Sequence, residues 1–173
     1  TDTLASTVGQ LLLDRSETLS VAESCTGGGL GAMLTGIAGS SSYFLGGVIS
    51  YDDRVKERLL GVKSEDLAEY GAVSHQVAKQ MAAGVRASLN TNWGLSITGI
   101  AGPGGGTDTK PVGLVYIGLA EPSGEVESFE YHFGYARTRD WIRNLSSCTA
   151  LDRLRRKLFF ANAERTASEL SIV

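Results

Sequence analysis

The chain has 173 residues, 42% of them hydrophobic, with a net charge of −3 and a pI of about 5.4. That suffices for one core and one domain, and the acidic balance excludes broad nucleic-acid binding driven by overall charge. The two cysteines, Cys25 and Cys148, and the two histidines, His75 and His132, give neither a disulfide framework nor a zinc pattern, so neither a metal nor another cofactor is expected.

In chain order, residues 3–15 place Leu4, Val8, Leu11 and Leu12 on one helical face. Residues 19–23, opening with the apolar run 19–22, predict a strand, and 26–37 a glycine-rich helix with Thr26 as N-cap. "AGSSSYFLGG" reads as a loop or a short turn of helix, and 47–51 as a second strand. Asp52 caps a helix over 53–60 that Gly61 ends, Ser64 caps a short one ending at Gly71, and Ser74 caps a longer one over 75–89, with Val77, Met81, Val85 and Leu89 inward. A strand over 93–98 leads into the glycine-rich loop 99–113, long enough to suggest function. Strands 113–120 and 125–133 form a hairpin about "EPSG", and a last helix covers 138–160. Strands separated by helices imply a mixed sheet with helices on both faces. No apolar run reaches the ~18 residues of a membrane span. No signal peptide is evident, so the cytoplasm is the expected compartment. Residues 1–173 read as one domain, and the start at Thr1 rather than Met fits a piece of a longer protein.

"LSVAESCTGGGLGA", residues 19–32, formally contains G-x-G-x-x-A, with Asp52 twenty residues beyond the last position. A dinucleotide fingerprint needs the strand to run directly into the first glycine; here Glu23-Ser24-Cys25-Thr26 intervenes, which argues against one. Two readings of the Ser24–Gly27 turn stand side by side. Its N–H groups and helix dipole can hold an anion or a developing oxyanion, or Ser24 and Thr26 cap the helix while the glycines allow close packing. Cys25 is read as a small core-facing residue, since no histidine partner accompanies it.

Ser40-Ser41-Ser42, Tyr51 and Lys56 form a second group. A serine nucleophile needs a base, and no G-x-S-x-G elbow is present. A free lysine is neutral in only ~1 in 2,500 molecules at pH 7, a handicap of roughly 4.6 kcal/mol that burial or nearby cations must offset. By spacing alone, a tyrosine and a lysine around a helix start, as Tyr51 and Lys56 are, are usually structural or solvated. The arginines 137, 139 and 143 cluster at a helix start, where an anion is favoured. The basic run 153–157 reads as a solvated helix face.

Jointly, "AESCTGG", "GSSSYF", "GGVISYDDRVKERLLGV", "YGAVS" and "ITGIAGPGGGTDTKPVG" resemble the CinA C-terminal domain family, which includes the nicotinamide mononucleotide deamidases. The resemblance runs from about residue 5 to 160. It implies a three-layer α/β/α sandwich on a mixed five-stranded sheet. It also implies cofactor-free hydrolysis of the carboxamide of nicotinamide mononucleotide to nicotinate mononucleotide and ammonia. The catalytic set it implies is Ser41, Tyr51 and Lys56, with Lys56 as base and Tyr51 as relay. Ser24, Thr26, Gly27, Thr98 and Gly99 would line the substrate site, and Arg139, or else Arg137, would hold the phosphate. A homo-oligomer is expected. The competing reading is a non-catalytic nucleotide- or partner-binding module of a competence- or DNA-damage-associated protein.

Overall fold

The computed structural model describes residues 2–170. Its elements are α1 Leu4–Arg15, β1 Leu19–Glu23, α2 Gly29–Thr35, β2 Phe44–Ile49, α3 Asp53–Leu60, α4 Ser64–Tyr70, α5 His75–Leu89, β3 Trp93–Gly99, β4 Leu114–Ala120, β5 Val126–His132 and α6 Arg139–Leu170. A single 3₁₀ turn covers Ser40–Ser42. The five strands form one sheet in the order β2-β1-β3-β4-β5. β1 runs parallel to both β2 and β3, while β4 is antiparallel to β3 and to β5, so the sheet is mixed, as the sequence implied.

Helices cover both faces. On one, Val8 and Leu12 of α1, Leu30 and Leu34 of α2, and Leu151, Leu154 and Leu158 of α6 pack on Leu19, Val21, Leu95 and Ile97. On the other, Val77, Met81 and Val85 of α5 pack with Leu60, Val62 and Ala22. Alternation along β1 sends Leu19 and Val21 to the first layer and Ala22 to the second. Burying each large aliphatic side chain contributes roughly 1.5–3 kcal/mol. α5 lies close against the sheet because Gly94 and Gly118 have no side chain: a Cβ there would stand 2.2 Å from the carbonyl oxygens of Ala82 and Ala78.

Local signals place most helix ends correctly. The Asp52 carboxylate accepts the Arg54 N–H and Gly61 closes α3 in the left-handed region; Ser74 caps α5 through the Val77 N–H. Two capping expectations fail. α4 is preceded by Lys63 without a side-chain cap, and Ser64 is its first residue. α2 begins at Gly29, not Thr26, because a residue of the preceding strand supplies the cap: the Glu23 carboxylate, itself buried, accepts the N–H groups of Leu30 and Gly31 at 2.9 and 3.0 Å. The basic run 153–157 is also not a purely solvated face. The guanidinium of Arg153 stacks on Phe129, and Lys157 bridges Glu121 and Glu127 at 2.7 Å each, so this stretch ties α6 to the β4–β5 hairpin.

The sheet register decides where the site lies. Glu23 pairs with both Ile49 and Ile97, so β1, β2 and β3 end together. β4 runs the opposite way, with Val115 opposite Gly99, and the 100–113 loop therefore crosses the same end of the sheet.

Candidate active site

Ser24, Tyr51 and Thr98 lie where the three parallel strands end, and around them is a cavity of about 310 Å³, within the range of small-ligand sites. Its lining includes Ser24, Tyr51, Asp53, Lys56, Thr98 and Arg139, with Gly99 to Gly105 of the loop closing one side. A larger concavity of about 430 Å³ runs along the outer face of α3, but it is lined by residues 52–59 of that one segment and gathers no converging polar groups from elsewhere.

The chain enters the site through two fixed turns. The Ser24 N–H donates to Ile97 O at 3.0 Å and the Gly27 N–H to Ser24 O at 3.1 Å, so Ser24 opens a tight turn pinned to β3. Gly27 adopts φ +58, a conformation that glycine takes without strain. On β2's side, the Ser50 N–H donates to Glu23 O at 2.7 Å, which holds Tyr51 beside the Ser24 turn. Thr98 is fully buried, and its Oγ1 donates to Ala72 O at 2.8 Å, drawing the 71–74 segment into the wall.

Lys56 is the most buried charged residue of the site, with 1% exposure. It sits on the first turn of α3 that faces the core, and its Nζ donates to Asp53 Oδ1 at 3.1 Å and to Tyr51 O at 3.4 Å. The neighbouring Asp52 is turned outward in a bidentate pair with Arg54, whose hydrogen bond holds the Asp52 carboxyl down at about 2. Arg139 donates from Nη1 to Gly102 O at 2.8 Å and from Nη2 to the Tyr51 hydroxyl at 3.2 Å. Burial pushes the Cys25 thiol up to about 11, although its own backbone N–H and the charges of Arg139 and Arg143 pull the other way. A thiol so held is a poor nucleophile near neutral pH; Cys25 is buried in the core cluster and also borders the cavity.

Not every expected residue converges here. Ser24, Tyr51, Lys56, Thr98, Gly99 and Arg139 share the cavity. Ser41 does not: it is exposed, in the 3₁₀ turn before β2, whereas Tyr51 and Lys56 follow β2. Six strand residues at about 3.3 Å each separate the two ends by about 20 Å. Within one chain the expected Ser41–Tyr51–Lys56 set is therefore not assembled, and the serine that shares the cavity lining with Lys56 is Ser24. The Tyr51 hydroxyl meets Arg139, and Lys56 reaches only the backbone carbonyl of Tyr51, so no Tyr51–Lys56 relay is formed. Thr26 and Gly27 belong to the turn but are not in the cavity lining; Thr26 borders a separate concavity between α2 and α6. Arg137 stacks over Trp141, away from the lining. The end of α2, which a pyrophosphate would need, already holds the Glu23 carboxylate, so the glycine pattern is no dinucleotide fingerprint. Sequence reading gave no role to Glu23, whose signal was a carboxylate at the end of an apolar strand, and none to Ala72 and Val73.

Comparison with known proteins agrees with this architecture. Residues 1–158 match the family model described as the CinA C-terminal domain. The chain is 68% identical over 157 residues to a CinA-like protein of Gloeothece citriformis and 71% identical over 157 residues to one of a Cyanothece species. Those alignments cover 91% of this chain but 38% and 37% of the relatives, so the chain spans less than two fifths of the length of these curated relatives. Among solved structures it is similar to the competence/damage inducible protein CihA from Agrobacterium tumefaciens, with a TM-score of 0.83, 39% identity and coverage of 89% of this chain and 94% of that one. It is also similar to a CinA superfamily protein from Klebsiella pneumoniae, with a TM-score of 0.86, 30% identity and coverage of 91% and 96%. Shared sequence over nearly all of the sheet and its flanking helices, together with the same fold, places this chain in the CinA C-terminal domain family.

Proposed function

We propose that this domain is an amidase that hydrolyses the carboxamide of nicotinamide mononucleotide, with Ser24 as nucleophile and Lys56 as the proton-transfer group. One observation carries the reading: a buried serine on a pinned turn and a buried lysine line the same cavity at the shared end of three parallel strands. The substrate comes from the family resemblance. The cavity supports it with Arg139, a cation suited to a phosphate, and with walls built largely of backbone and small residues.

In this mechanism a neutral Lys56 takes the Ser24 hydroxyl proton as Oγ attacks the carboxamide carbon. The tetrahedral intermediate collapses with cleavage of the C–N bond, and Lys56 returns the proton to the leaving nitrogen, which departs as ammonia. Water then attacks the acyl-serine, giving its proton to Lys56, and Ser24 regains a proton as nicotinate mononucleotide leaves. Arg139 and the Tyr51 hydroxyl, already bonded to each other, form the wall that receives the phosphate-bearing end. The positive pyridinium ring withdraws electrons from the amide and lowers the barrier to attack.

The test is ammonia release from nicotinamide mononucleotide by the purified domain. Saturable turnover that disappears in Ser24→Ala supports the reading; absence of ammonia at micromolar enzyme overturns it. A homo-oligomer belongs to the same proposal. It is supported by the position of β2 at the sheet edge and by its exposed Leu45 and Ile49, and light scattering decides it.

A further inference from the structure

Arg143 lies one helical turn beyond Arg139 on α6, outside the cavity lining, and reaches the back of the Ser24–Gly27 turn. Its Nε donates to Cys25 O and its Nη2 to Thr26 O, both at 3.1 Å. The Asp140 carboxylate steadies the same guanidinium from 3.4 Å. Two consecutive carbonyls of the turn are thus held toward α6 by one planar fork, which a lysine's point charge cannot reproduce.

The consequence falls on the opposite side of the peptide plane. The Cys25–Thr26 bond is trans, and a trans peptide directs its C=O and N–H in opposite senses. With Cys25 O fixed on Arg143, the Thr26 N–H points away from α6, and among the described residues it has no backbone or side-chain acceptor. The unused donor therefore points away from α6, and Cys25, the residue on the other side of this peptide, lines the cavity next to Ser24. A guanidinium on the carbonyl also polarises the peptide and strengthens its N–H as a donor.

We infer that Arg143 is a positioning residue for an oxyanion hole: it clamps the Cys25–Thr26 peptide so that the Thr26 N–H receives the negative oxygen formed when Ser24 attacks. The inference rests on the amidase reading above. A preorganised donor aimed at the transition state alters kcat rather than ground-state binding, and that distinguishes it from a purely structural clasp between α6 and the turn.

The experiment compares wild type, Arg143→Lys and Arg143→Ala in steady-state ammonia release from nicotinamide mononucleotide, with melting curves. The expected result is a fall in kcat of at least about tenfold in both variants with KM within about threefold. Guanidinium ion added at millimolar concentration should recover part of kcat in Arg143→Ala but not in Ser24→Ala. A smaller fall in kcat, a loss carried mainly by KM, no recovery with guanidinium, or failure of both variants to fold overturns the clamp. If the wild type turns over and the variants match it, the clamp alone is wrong; if the wild type releases no ammonia, the amidase reading fails and the clamp falls with it.

Discussion

Lys56 Nζ lies 3.1 Å from Asp53 Oδ1, and the pair straddles two media: 1% of the lysine side chain is exposed, against 56% of the carboxylate. Asp53→Asn removes the charged acceptor that holds Nζ while keeping the size of the side chain, and kcat is expected to fall by at least about threefold. An unchanged kcat would detach this pair from catalysis. Lys56→Arg, which keeps the charge but cannot deliver a neutral base, should retain less than about a tenth of kcat, a barrier increase above ~1.4 kcal/mol.

The two serines make opposite predictions. Ser24→Ala should lower kcat by ~10³-fold or more and leave the melting temperature within a few degrees. Ser41→Ala should keep kcat within about threefold, because Ser41 is exposed at the far end of β2. Mass spectrometry of a trapped acyl-enzyme would locate the ester directly. An adduct on Ser41 with Ser24→Ala still active would reverse the assignment and require a second copy to complete the site.

Cys25 carries a pH dependence of its own. Its thiol is raised from 9.0 to about 11 in the folded protein, chiefly by burial. The folded state therefore holds this proton more tightly than the unfolded chain does. The corresponding stability, on the order of 3 kcal/mol, is fully present below pH 9 and is lost as pH rises from 9 to 11. Urea denaturation at pH 8 and pH 10.5 should show wild type losing more stability than Cys25→Ala over that interval. Equal losses would contradict this account. Cys25→Ala should also keep most of the amidase activity.

Glu23 fastens the start of α2 from a strand. Replacing it by glutamine removes the charge and one of two acceptors for the Leu30 and Gly31 N–H groups. The cost expected for charge-assisted bonds at a helix N-terminus is about 1–3 kcal/mol, a fall in melting temperature of about 3–10 °C for a domain of this size. An unchanged melting curve would mean that the Glu23 charge contributes nothing there.

Much of this molecule was legible along the chain because the relevant physics is local. The expected strand 19–23 is β1; Asp52 and Gly61 bound α3; Ser74 starts α5, all as the local pattern requires. The mixed sheet between helices followed from the order of these segments. What depended on contacts far apart in sequence was not legible. Thr26 looked like the cap of α2, but Glu23 reaches over the turn and supplies a charged cap that moves the helix start to Gly29. The basic run of α6 looked solvated, but the β4–β5 hairpin brings Glu121, Glu127 and Phe129 against it. Ser41, Tyr51 and Lys56 looked like neighbours because Ser41 and Tyr51 are only ten positions apart, yet β2 stretches between them and extended backbone turns that separation into distance. Ser24 and Lys56 are 32 positions apart in the sequence, and only the parallel register, with Glu23 opposite Ile49, brings their elements to one end of the sheet. The residue types of the site were set by the sequence alone; which serine shares the cavity with the lysine was decided by strand direction and register, which no local pattern encodes.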